Sequence, residues 1–261
     1  PQQREAHGQN QSNMHLAAML RLAQAGPRRV SRYTDRQRVL VLGDGDFSFS
    51  LSLASSVGGS NLVCTSLDKK TQAQVKYGQG VAATLHAIEG MGATVHHQVD
   101  ATKLSECQAI GKKKFDRIIF NFPDLTEVKI NEETTGTATT EPLAQILESA
   151  QGVLQRPGGE VHVTVRSRDL TAMGKGVKDA AAAHGMECCE VSQFEASDFM
   201  GYKPRHTFPN SPKAISLLPA KLLVFRLLAP DAAKRKHAEK EKAREEEGVD
   251  SDDSDDEDEE E

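Results

Sequence analysis

The chain has no tryptophan, few aromatic residues of any kind, and four cysteines, Cys64, Cys107, Cys188 and Cys189, in 261 residues. The cysteines lack metal-ligand spacing, and the vicinal Cys188 and Cys189 cannot close an easy bridge. Neither a zinc centre nor a disulfide framework is expected, and the thiols read as small hydrophobes of a reducing compartment. No apolar run approaches the roughly 18 to 20 residues that a helical bilayer span requires. With those classes set aside, the length suits one α/β domain with tails, because a core of about 150 to 200 residues is stable without staples.

The net charge of −6 conceals an internal division. Residues 245–261 hold thirteen acidic and no basic side chains, so the rest of the chain carries 25 acidic against 32 basic residues, near +7. A basic body with an acidic, low-complexity tail points to a nucleic-acid partner, with a tail that competes for it, binds a basic protein or serves solubility. Residues 1–38 contain seven arginines and two acids. They are expected to form a basic, partly disordered arm over residues 1–35, and the short apolar stretch from Met14 leaves an organellar transit peptide open. The basic run Lys234–His237 before the acidic tail favours a nuclear or nucleolar location. The expected domain spans residues 36–230 and the charged tail residues 231–261.

Between the tails, apolar runs of four to eight residues alternate with helical patterns. Strands are expected at Val39–Gly43, Leu62–Leu67, Thr94–Val99, Arg117–Phe122, Glu160–Arg166, Glu187–Val191 and Leu222–Leu227. Helices are expected at Phe49–Ser56, Thr71–Glu89, Pro142–Gln155 and Leu170–His184. Such alternation implies a mostly parallel twisted sheet with helices on both faces, and the last two strands fall where an antiparallel edge hairpin belongs.

In a doubly wound sheet the ligand lies across the carboxyl ends of the strands. Here Gly43-Asp44-Gly45-Asp46 follows the first strand, Asp68 the second, Asp100-Ala101 the third and Asn121 the fourth. Each Asp alone is more often a helix cap or loop residue. Together they mark a cofactor site in which Asp68 would accept ribose hydroxyls and Asp100 would contact an adenine. The fourth strand ends in Asn121-Phe122-Pro123-Asp124, similar to the Asn-Pro-Pro-aromatic ending of adenine methyltransferases, where the amide grips a planar nitrogen and a ring stacks on the base.

The strings LVLGDGDFSFSLSLA from Leu40, VKYG from Val75, VDATKL from Val99, FDRIIFNFPD from Phe115, GEVHVTVR from Gly159 and GYKPRHTF from Gly201 carry a further likeness. In order, over roughly residues 36–228, they resemble the eukaryotic large-subunit ribosomal RNA uridine-N3 methyltransferases. The resemblance implies a Rossmann-like fold, S-adenosyl-L-methionine as donor and a uridine ring nitrogen as acceptor. It places Gly43, Asp44, Gly45, Asp46, Phe47 and Ser48 around the donor and Asn121, Phe122 and Pro123 at the target. Asp124 stands where the family usually has His, a polar stretch from Asn131 replaces an Asn-Arg pair, and no Trp follows the fifth strand. These departures fall on the acceptor side and leave the donor side intact.

Methyl transfer to an imide nitrogen needs alignment of the reacting atoms and removal of the N–H proton. Asn121 Oδ1 is expected to orient that N–H, Asp124 or a water it holds to act as base, and Phe122 to stack on an unpaired or extruded base. Lys112–Lys114, Arg166, Arg168, Lys203 and Arg205 are candidate phosphate contacts, while His162 and His206 read as ordinary core or surface residues. Two other functions fit the residues: a noncatalytic RNA-binding ribosome-assembly factor that keeps the fold, and a dinucleotide oxidoreductase built on Gly43, Gly45 and Asp68.

Overall fold

The computed structural model describes residues 26–125, 138–202, 204 and 219–228. The N-terminal apolar stretch, the charged tail, Lys203, Arg205 and His206 lie outside the described residues, as does most of the polar stretch from Asn131.

Nine strands and six helices follow one another in the described residues. They are β1 (Arg29–Val30), β2 (Tyr33–Thr34), β3 (Val39–Leu42), α1 (Ser48–Val57), β4 (Leu62–Ser66), α2 (Lys70–Tyr77), α3 (Gly80–Gly90), β5 (Thr94–His97), β6 (Arg117–Asn121), α4 (Glu141–Gln151), β7 (Glu160–Arg166), α5 (Ser167–Met173), α6 (Gly176–Ala183), β8 (Met186–Gln193) and β9 (Ala220–Leu227). Strands β3 to β9 form one sheet in the order β5-β4-β3-β6-β7-β9-β8. All neighbours are parallel except β9, which runs antiparallel to both β7 and β8.

The apolar runs alternate faces, as period two requires. Leu40 and Leu42 of β3 join one core with Ile118, Val161, Val163 and Phe225, while Val39 and Val41 join another with Ile119 and Val224. Both faces of the central strands are therefore buried, which is why they read as continuous hydrophobic runs. The edge strand β8 instead alternates buried or half-buried with exposed positions and carries Glu187 outward, a protection against edge pairing.

Two expected helices are each divided. The run expected at 71–89 breaks between α2 and α3 at Gly78, whose φ of 90° is one that glycine adopts readily and whose N–H returns to Gln74 O. The run expected at 170–184 breaks at Gly174, with φ 51°. The helix expected to reach Gln155 ends at Gln151. One element had no strong sequence signal: the β1–β2 hairpin lies inside the stretch read as an arm, yet Tyr33 is buried in the second core. The folded body therefore begins before residue 36.

Hairpin and sheet meet in a buried polar chain. The Tyr33 hydroxyl lies 2.9 Å from His162 Nδ1, and His162 Nε2 lies 2.9 Å from Glu160 Oε2. Glu160 also pairs with Arg117 at 3.0 Å and accepts from Arg226 Nε at 2.8 Å. The His162 contact above all, with the two arginines, holds the Glu160 carboxyl down at about 2, against burial. Burial lowers the pKa of His162, so the neutral ring donates from Nε2 to Glu160 and accepts from Tyr33 at Nδ1.

Candidate active site

Because β3, β4, β5 and β6 are parallel, the segments leaving them gather along one edge of the sheet. A cleft opens there, lined by Val41 to Asp46, Phe49, Tyr77, Asn121, Phe122, Tyr202 and Pro204.

The turn after β3 is held by its own acids. Gly43 has φ 62°, and a Cβ there would come within 2.5 Å of the Phe120 ring. A Cβ on Gly45 would strike the Tyr77 hydroxyl. Gly43 is favoured by both space and dihedral, whereas a side chain at Gly45 would have to displace the Tyr77 ring. Asp44 N–H donates to Thr65 O at 2.9 Å, tying the turn to β4. Asp44 Oδ2 accepts from Ser50 N–H at 2.8 Å and from Ser50 Oγ at 2.7 Å, and Asp46 Oδ1 accepts from Ser48 N–H at 3.0 Å. The first turn of α1 is thus closed by two carboxylates of the loop that precedes it. Burial pushes the Asp44 carboxyl up to about 7, despite the two Ser50 hydrogen bonds.

The acceptor side is built on the ends of β6 and β7. Asn121 and Thr164 are register partners, and Thr164 Oγ donates to Asn121 Oδ1 at 2.7 Å. Phe122 N–H donates to Thr164 O at 2.8 Å. The Asn121 Nδ2 atom is buried and makes no hydrogen bond of acceptable geometry, though the Tyr202 hydroxyl is near enough to interact with the side chain. Phe122 occupies φ 53°, a left-handed conformation that costs a non-glycine residue about 1 to 3 kcal/mol. Its ring meets Phe194 edge-on at 6.0 Å, and Tyr202 packs edge-on against Phe49 at 5.1 Å.

Of the residues expected at the site, Gly43, Asp44, Gly45, Asp46, Asn121 and Phe122 come together in this cleft. Phe47 is fully buried at φ 60°, edge-on to His97 at 5.4 Å, so it supports the turn from behind. Ser48 starts α1. Asp68 lies at the same sheet edge, its Oδ1 2.5 Å from Lys76 Nζ. Asp100 caps a turn through Thr102 N–H at 2.9 Å, with half-buried Ala101 packed on the core. Pro123 is half-buried, and Asp124 is exposed and does not line the cleft. Among the phosphate candidates, Arg166 and Arg168 pair with Asp169, while Lys112–Lys114 precede β6 and so lie at the opposite edge. Tyr77, Phe49, Tyr202, Pro204 and Thr164 were not singled out from sequence. Tyr77, Tyr202, Pro204 and Thr164 sit inside the quoted strings VKYG, GYKPRHTF and GEVHVTVR, which was the available signal.

The lining holds two carboxylates and, among the described residues, no Lys or Arg. Such a site fits a cationic nucleoside-like cofactor. It does not fit a pyrophosphate, for which the helix N-terminus must be open and free of anions. The glycine turn and its two acids are compatible with S-adenosylmethionine.

A seven-stranded sheet of this order, with its cleft at the carboxyl ends, defines a Rossmann-like methyltransferase. The chain belongs to the BMT5-like family, described as rRNA (uridine-N3-)-methyltransferase BTM5-like, whose model matches residues 40–206. It is 30% identical over 177 residues to Uncharacterized protein At4g26485 of Arabidopsis thaliana, covering 66% of this chain and 83% of the relative. It is 29% identical to the Ferredoxin-fold anticodon-binding domain-containing protein 1 homolog of Mus musculus, covering 64% of this chain but 27% of that protein. A solved rRNA methylase from Streptococcus thermophilus matches at 12% identity with a TM-score of 0.38, covering 74% of this chain and 88% of that one.

Proposed function

We propose that this methyltransferase uses S-adenosyl-L-methionine to methylate N3 of a uridine in large-subunit ribosomal RNA. One observation carries the reading: the cleft joins the acid-lined glycine turn to a buried amide whose Nδ2 is left unpaired. A buried donor without a partner costs about 1 to 3 kcal/mol, which a ligand carbonyl recovers.

The bound cofactor would supply a methyl group on sulfur that is already activated for displacement. The turn Gly43–Asp46 would hold it, with Asp44 and Asp46 answering its positive charge, and Asp68, paired with Lys76 at the same sheet edge, would take its ribose by exchanging that partner. Asn121 then supplies its N–H to a carbonyl beside the ring nitrogen, and Phe122, braced by Phe194, supplies an apolar face to the base. The expected role of Asn121 changes accordingly: Oδ1 is taken by Thr164, so the amide meets the base through Nδ2. N3 passes its proton to water entering the open cleft, and the charge left on the uracil carbonyls is stabilised by that donor.

The acidic turn disfavours the dinucleotide reading, and the antiparallel β9 departs from the all-parallel order of such folds. Calorimetry with S-adenosylmethionine and with NADH separates the two cofactors, and nucleoside mass spectrometry of rRNA fragments exposed to the full chain identifies the product. N3-methyluridine in a donor-dependent reaction is the expected result. A chain that binds donor and rRNA yet forms no methylated nucleoside is the assembly factor instead. We further propose a nuclear or nucleolar location, to be checked by imaging the tagged chain, with pre-ribosomal RNA as partner and the acidic tail facing a basic protein or competing with RNA.

A further inference from the structure

We infer that Thr164 fixes the Asn121 amide nitrogen-first into the cleft and thereby sets the acceptor site for a ring nitrogen flanked by carbonyl oxygens. The inference rests on Asn121 belonging to the acceptor site as proposed above.

Asn121 and Thr164 face each other across β6 and β7, and Thr164 has no exposed surface. A threonine hydroxyl carries one hydrogen, and in this structure Asn121 Oδ1 receives it at 2.7 Å. Were the amide reversed, the hydroxyl would accept from Nδ2, and its own hydrogen would need a different acceptor in a closed site. The same Thr164 also receives the Phe122 N–H on its backbone oxygen. One residue therefore sets both the direction of the amide and the position of the turn that follows it.

Direction decides which base edge is accepted. Uracil N3 lies between two carbonyl oxygens, so a donor from Nδ2 is matched on either side. Cytosine N3 has a carbonyl on one side and an amino group on the other, and adenine N1 an amino group and a C–H, so neither offers an acceptor on both sides, and an amide presented nitrogen-first to the amino side sets donor against donor. Thr164 touches neither substrate nor cofactor in this scheme; it is a positioning residue that acts through Asn121.

The test uses the full chain and two probes, 5′-labelled hexauridylate and hexacytidylate, with anisotropy read at one fixed salt concentration. Wild type is expected to prefer hexauridylate by about tenfold, the worth of one matched against one mismatched hydrogen bond. Thr164→Val removes the hydroxyl at nearly constant volume and should reduce the preference to about twofold or less, while Thr164→Ser keeps it. Thr164→Ala gives the same reading should valine not be accommodated, with near-ultraviolet circular dichroism reporting folding. The pH profile of hexauridylate methylation should also move to higher pH in the Val variant, because the donor that eases loss of the N3 proton is no longer held in place. A preference that survives both hydroxyl-removing variants in folded protein overturns the positioning role and leaves the proposed function standing. Equal binding of the two probes by wild type, or a preference unaffected by Asn121→Ala, overturns both.

Discussion

The two edges of the central sheet are built on opposite principles. At the carboxyl edge, polar groups are strained, closely spaced and in part unsatisfied: Phe47, Gln98 and Phe122 all adopt left-handed φ, Asp44 is held near pKa 7, and Asn121 Nδ2 is buried without a well-formed bond. At the amino edge, Tyr33, His162, Glu160, Arg117 and Arg226 form a chain in which the polar groups partner one another and the single carboxylate is shared by two arginines. Of the four non-glycine positive-φ residues among those described, Gln98 and Phe122 directly follow β5 and β6 and Phe47 precedes α1, and Phe122 lines the cleft, where a ligand can repay the cost. One edge is organised for something that arrives, the other for what is already present.

The largest effect that would sharpen this contrast is Glu160→Ala. It strips His162, Arg117 and Arg226 of their shared carboxylate and should cost about 3 to 5 kcal/mol of stability, measured by denaturant unfolding. Donor affinity of the folded variant should not change, and a parallel loss of affinity would show that the edges are coupled. Asn121→Ala should do the reverse. We expect turnover to fall by about 100-fold, with the unfolding midpoint and S-adenosylmethionine affinity close to wild type, because the donor is held by separate strand ends.

Asp44 predicts a smaller, pH-dependent effect. Its folded pKa, about 7, lies above its ordinary value of 3.8, so the native state holds more proton than the unfolded chain between those limits. Stability without donor therefore falls as pH rises from about 4 to 7, by on the order of 2 to 4 kcal/mol from this group. Asp44→Asn should flatten that slope in thermal melts across the range. Donor affinity in wild type should rise over the same interval, since a cation favours the ionised carboxylate, with proton release detectable by calorimetry in buffers of different ionisation enthalpy. Smallest is Tyr33→Phe, which leaves His162 Nδ1 without its donor and should cost about 1 to 2 kcal/mol with no effect on turnover.

Much of the fold was legible because hydrophobic period carries it. The seven strands of the main sheet were expected within about two residues of most of their ends, since β3, β6 and β7 are buried on both faces and announce themselves as apolar runs. The β1–β2 hairpin was not legible: four strand residues in an arginine-rich stretch have no period, and only contact with His162 shows that Tyr33 belongs to the core. The misplacement of Lys112–Lys114 has the same origin. Basic residues beside a strand were read as facing the nucleic acid, but residues that precede a parallel strand lie at the edge opposite the cleft.

Local sequence by itself determined the glycine turn, the acids after the strands and the Asn-Phe-Pro ending, because each is a contiguous pattern with a conformational requirement of its own. The tertiary structure decided how those pieces are used. Asp44 and Asp46 accept from first-turn N–H groups of α1, contacts that exist only once the helix follows the turn. Asn121 Oδ1 is engaged because Thr164, 43 residues away in sequence, is its register partner and donates to it. Tyr202 reached the same cleft from beyond β8. A hydrogen bond between distant residues depends on strand register, and register is settled only when the sheet assembles.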